Sequence, residues 1–60
     1  MNDNIYIQVQ DLSGNYRTYR VLTRNDSAQI KQAFQDLKFQ FPDSKMRAVT
    51  ETGSVVDFEM

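Results

Sequence analysis

Sixty residues with no Cys and no His bound this chain tightly. The length allows one domain with a thin core, disulfides are excluded, and a structural zinc site lacks its usual ligands. Seven basic against eight acidic residues leave a net charge of −1, so bulk electrostatics demand neither nucleic acid nor a membrane surface, and no apolar run is long enough to span a bilayer.

The start, Met1-Asn2-Asp3-Asn4, has neither the basic nor the apolar region of a signal peptide. The chain therefore reads as a whole, soluble, cytoplasmic protein. With no disulfide or metal to staple it, efficient packing or self-association must stabilise it.

Ile5, Ile7 and Val9 alternate with Tyr6, Gln8 and Gln10, the pattern of a strand with one buried face. Asp11-Leu12-Ser13-Gly14 follows, with a polar capping residue three places before a glycine, which predicts a type I turn closed by a glycine at positive φ. Residues 16–22, rich in Tyr, Thr and Val, form the second strand. A Leu12-Ser13-Gly14 loop sets Val9 against Arg17, Ile7 against Tyr19 and Ile5 against Val21. The inner face is then Ile5, Ile7, Val9, Tyr19 and Val21; a one-residue slip would scatter that set.

Asp26 is the expected N-cap of an amphipathic helix over roughly residues 27–40, with Gln29 in capping-box spacing. Ile30, Ala33, Phe34, Leu37 and Phe41 recur at helical spacing as its buried stripe, and Pro42 ends it near Phe39 or Gln40. Met46, Ala48 and Thr50 alternate with Arg47, Val49 and Glu51. Thr50-Glu51-Thr52-Gly53 repeats the turn chemistry of the first hairpin, setting Ala48 against Val56 and Met46 against Phe58. The expected inner face of the second hairpin is Met46, Ala48, Val56 and Phe58.

These elements make a single α+β domain over residues 1–60, ββαββ, with a four-stranded sheet and one helix across one face. The first and fourth strands are the most apolar and belong at the centre. The second and third carry Arg17, Arg20, Lys45 and Arg47, charges that suit edges. The expected order is 2-1-4-3, a mixed sheet with strands one and four parallel; 1-2-4-3 and 2-1-3-4 are the alternatives. The layout resembles the β-grasp arrangement, particularly that of the immunoglobulin-binding domains of protein G, over nearly the whole chain. That likeness is one of element order and length; it implies a fold and carries no binding residue across.

Catalysis has little to work with. Without His or Cys, the commonest general bases and nucleophiles are missing. Ser13, Ser27, Ser44 and Ser54 all fall in turns or caps. Asp57 and Glu59 share a strand face and read as a solvated strand end. Asp11 and Asn15 lack the other ligands of a calcium loop, and the two glycines make no phosphate loop. The reading is no enzyme, no cofactor, no metal and no small-molecule site.

What remains is surface. Alternation sends Tyr6, Gln8 and Gln10, Tyr16, Thr18, Arg20 and Leu22, Arg47 and Val49, and Val55 and Asp57 to the uncovered sheet face. Tyrosine and arginine are enriched at protein interfaces. The primary expectation is therefore a protein-interaction module or regulator that uses Tyr6, Gln8, Tyr16, Thr18, Arg20, Arg47 and Val49, its partner another protein or a second copy in a homodimer. The alternative is a single-stranded nucleic-acid platform of Tyr6, Tyr16, Arg20 and Arg47. The bland reading is a solvated face on which cross-strand pairs only add stability. Arg17 is expected at the core-side rim and Arg20 on the outer face, which splits the basic run and removes a continuous phosphate stripe. Phe39 lies off the helix stripe, beside Gln32 and Gln35. It is a candidate docking knob if the helix reaches it, but the default expectation is that the last turn unwinds and tucks it under the sheet.

Overall fold

The computed structural model describes residues 4–59; residues 1–3 and 60 lie outside the described residues. Strand β1 (Ile5–Gln10) and strand β2 (Tyr16–Leu22) form the first hairpin, helix α1 (Ser27–Lys38) follows, and strands β3 (Met46–Val49) and β4 (Val55–Glu59) form the second. The ββαββ order and both turns match the sequence expectation. Gly14 and Gly53 each adopt φ +89°, a region in which a Cβ is strained. Asp11 Oδ1 accepts from the Ser13 and Asn15 backbone N–H groups at 2.9 and 3.0 Å, and Gly14 N–H donates to the Asp11 carbonyl at 3.1 Å. In the second turn Gly53 N–H donates to the Thr50 carbonyl at 3.0 Å.

Asp26 caps α1, its Oδ1 accepting from the Ala28 and Gln29 N–H groups at 2.9 and 3.4 Å. Ile30, Ala33, Phe34 and Leu37 are buried, as their spacing requires. They pack on Ile5, Ile7 and Val9 of β1 and on Met46 and Ala48 of β3, with Leu22 and Phe41 at the margin.

The sheet order is β2-β1-β3-β4, with all three pairings antiparallel. This corrects the expected 2-1-4-3 mixed sheet and is the alternative order 2-1-3-4. The parallel pairing of the first and fourth strands, expected from their apolarity and from the charges on the other two, does not form; the likeness to the β-grasp arrangement holds for element order and not for sheet order. The physical reason lies in Arg47. With a helix on one face only, a central strand can carry a charge on its open side, so charge does not mark β3 as an edge. An α-helix about 10–12 Å across covers roughly two strands spaced about 4.8 Å apart. It buries β1 and β3 and leaves β4 only partly covered.

Both hairpins also slip by one residue. In the first, Val9 faces Arg17 and Gln8 faces Thr18 as expected, but Ile7 then faces Arg20 and Ile5 faces Leu22, with a bulge at Tyr19. In the second, Val49 faces Val55 but Ala48 faces Asp57 and Met46 faces Glu59. A bulge sets two residues of one strand against one of its partner, and every later side chain changes face. Val21 and Phe58, expected inside, therefore lie outside and about half exposed. Leu22, Arg20 and Asp57, expected outside, lie on the helix side. Leu22 packs against the core. Arg20 Nη1 meets Asp36 Oδ2 of α1 at 3.1 Å, and Lys31 Nζ of α1 lies 3.8 Å from Asp57 Oδ2. Tyr19 and Val56 are the bulged residues; neither enters the core, and Tyr19 packs its ring against Phe41 at 4.9 Å between centroids.

Phe39 is the helix C-cap, in αR geometry, and is 91% exposed. The default expectation that it tucks beneath the sheet is overturned. Leu37 and Phe41 take the inward positions, and Phe41 N–H bonds back to the Leu37 carbonyl at 2.8 Å, which fixes the chain's exit and leaves Phe39 outside.

Candidate interaction surface

The uncovered face is a grid set by strand register. Val21, Tyr6, Val49 and Val55 stand opposite one another across β2, β1, β3 and β4. One step along the strands, Thr18, Gln8, Arg47 and Phe58 form the next row, and Tyr16 and Gln10 begin a third. The first row is apolar but for the Tyr6 hydroxyl, which lies 3.4 Å from Glu51 Oε1. Val49, at its centre, is only 5% exposed although no helix covers it.

The second row is a hydrogen-bonded chain. Arg47 Nε donates to Gln8 Oε1 at 2.7 Å, and Gln8 Nε2 donates to Thr18 Oγ1 at 3.1 Å. The Arg47 guanidinium carbon also sits 4.0 Å from the centroid of the Tyr16 ring, a cation–π contact. Arg47 is thus held from two sides while its other nitrogens keep donors available. Ion pairs among the described residues include Arg17–Asp11, Arg20–Asp36 and Lys31–Asp57; Arg47 belongs to none of these three. The arrangement presents a pre-positioned, partly desolvated cation beside an apolar strip.

Of the residues that the sequence nominates, the fold brings Tyr6, Gln8, Tyr16, Thr18, Arg47 and Val49 onto one face. Arg20 is excluded by the first bulge, and its guanidinium is engaged by Asp36. Phe39 stands apart on the helix, beside Gln35 and Lys38. Alternation missed Val21 and Phe58. The trace of the first bulge is visible in the sequence: Tyr16 and Tyr19, and Arg17 and Arg20, recur at a spacing of three within a strand whose period is two. The Val55-Val56 doublet is the corresponding trace in β4.

Comparison of the chain with protein-family models, with curated proteins and with solved structures finds no match. The reading of this face therefore rests on its own geometry. No helix among the described residues is long and apolar enough to cross a membrane.

Proposed function

We propose that this chain is a small non-enzymatic module that docks a protein partner on its open sheet face. One observation carries the reading. An arginine fixed by Gln8 and Tyr16 stands next to an in-register apolar strip of Val21, Tyr6, Val49 and Val55, with Phe58 at its side. Arginine and aromatic anchors bordered by apolar surface are the groups that carry binding energy at protein interfaces. An arginine already ordered by its neighbours loses less side-chain freedom on docking.

The test is affinity capture from the cells that make the protein, using the parent chain, Arg47→Glu, Val21→Asp and Phe39→Ser. A bound species that is lost with Arg47→Glu and Val21→Asp and kept with Phe39→Ser supports the open face. The reverse pattern moves the site to the helix end and overturns the reading.

Single-stranded nucleic acid is the second reading, favoured by the Tyr16–Arg47 stack. The helix-side position of Arg20 weakens it, because Arg47 is then the only cation among the outward-facing strand positions. An amide NMR titration with a short mixed oligonucleotide at low salt separates the two: shifts centred on Tyr6, Tyr16 and Arg47 support nucleic acid, and a flat response refutes it.

A further inference from the structure

The two edges of the sheet carry opposite charge on the same side. Strands β2 and β4 are the outer strands, and among the described residues no strand pairs with their free edges. The first bulge places Arg17 and Arg20 both on the helix side of β2, opposite Val9 and Ile7. The second register shift places Asp57 and Glu59 both on the helix side of β4, opposite Ala48 and Met46. On the open side β2 shows Tyr16, Thr18 and Val21, and β4 shows Val55 and Phe58. Bulges and inward-pointing charges guard edge strands against pairing, and both edges have them; because the charges are opposite in sign, each guard repels its own kind and not the other edge. Between Val55 and Glu59 there is no basic residue and no proline.

We propose that β4 of one copy pairs with β2 of the next, so that copies join head to tail into a continuous antiparallel sheet. Direction permits it. All neighbours in the sheet are antiparallel, so β2 and β4 run opposite ways, and a copy laid beside the first with its helix on the same side presents β2 antiparallel to β4. The register that sets Glu59 against Arg17 of the next copy also sets Asp57 against Arg20 and Phe58 against Thr18, with the bulge at Tyr19 absorbing the extra residue. Charge selects this pairing over the symmetric ones. Two β4 edges would oppose Asp57 and Glu59 to the same acids, two β2 edges would oppose arginines to arginines, and like charges directly opposite are destabilising. Arg17, Arg20 and Asp57 already have intramolecular partners, so the association is weak and salt-sensitive. A heterologous contact of this kind does not stop at two copies unless it closes into a ring. The proposal does not depend on the open face being a docking surface, since head-to-tail growth leaves that face uncovered.

Sedimentation velocity tests it over about 10 µM to about 1 mM protein, at ionic strengths of about 0.02 M and about 0.5 M. The parent chain is expected to grow with concentration at low salt, to a weight-average mass at least about twice the monomer's 7.0 kDa, and to fall back towards monomer at high salt. Asp57→Lys/Glu59→Lys and Arg17→Glu/Arg20→Glu, each with its fold checked by amide spectrum, are expected to stay monomeric alone and to associate when mixed, because mixing restores one acidic and one basic edge. A parent chain that stays monomeric at low salt overturns the proposal. So does a mixture that fails to associate although both variants are folded. A salt-insensitive dimer that survives both double substitutions and dissociates with Arg47→Glu also overturns it, and would assign self-association to the open face instead.

Discussion

Truncating two phenylalanines separates the observed register from the one that simple alternation requires. Phe34 is 2% exposed at the centre of the core, whereas Phe58 is 48% exposed and stands opposite Arg47 on the open face. Phe34→Ala removes a buried ring and leaves a cavity, a change that costs about 3–5 kcal/mol. A domain of 60 residues has a total stability of about 3–9 kcal/mol at roughly 0.05–0.15 kcal/mol per residue, so this variant is expected to be largely unfolded or close to it. Phe58→Ala keeps the core intact. Full burial of such a side chain contributes about 1.5–3 kcal/mol; with half the ring already in water and no cavity formed, the loss is about 1 kcal/mol. The assay is urea unfolding followed by circular dichroism. With a slope near 1 kcal/mol per molar urea, Phe58→Ala is expected to lower the midpoint by about 1 M at unchanged slope. If Phe58→Ala costs as much as Phe34→Ala, Phe58 is a core residue, the second bulge is absent, and the row containing Arg47 is wrongly built.

Further outcomes follow from the turns and the ion pairs. Gly53→Ala is expected to cost about 1–2 kcal/mol, from the left-handed backbone alone, because nothing lies within 4 Å of the added Cβ. Gly53→Asn should recover part of that loss, since Asn tolerates the conformation better, and equal unfolding midpoints for the parent and both variants would refute the turn assignment. Asp36 is held below the ordinary aspartate value of 3.8, chiefly by the Arg20 side-chain hydrogen bond and then by that of Gln32. Asp11 is lowered chiefly by the Asn15 backbone N–H, with Ser13 and Arg17 adding to it. A carboxylate with a depressed folded-state pKa stabilises in full above its unfolded value, and that contribution is lost as pH falls through the folded value. The thermal midpoint should therefore hold from neutral pH to about pH 5 and fall below about pH 4; Asp36→Asn should shallow the fall, and an unchanged slope would contradict the Arg20–Asp36 pair.

The parts of this fold legible in the sequence are those set by local chemistry. Asp11 with Gly14, Thr50 with Gly53 and the Asp26 cap each act within a few residues, so both turns and the helix start can be read directly. The stripe of Ile30, Ala33, Phe34 and Leu37 is equally local. Strand order was not legible, because it depends on which strands a single helix can cover, and the charge on Arg47 pointed the wrong way for a sheet with one open face. Of the candidate site, six residues were legible: Tyr6, Gln8, Arg47 and Val49 stand on the unbulged central strands, and Tyr16 and Thr18 precede the first bulge. Past the bulges the alternation inverts, which moved Arg20 and Asp57 to the helix side and brought Val21 and Phe58 onto the open face. A bulge interrupts the period of two, and the traces that betray it beforehand are the spacing of three between the paired tyrosines and arginines in β2 and the Val55-Val56 doublet in β4.

The most direct test of the open face is site-specific photo-crosslinking in the cells that make the protein. A photoreactive phenylalanine analogue replaces Phe58 in one experiment and Gln35, on the exposed side of α1, in another. A discrete protein adduct at Phe58, suppressed by Arg47→Glu and missing from Gln35, is the expected result. Adducts that form at Gln35 and not at Phe58 would show that the helix side is the docking surface and the sheet face an ordinary solvated one.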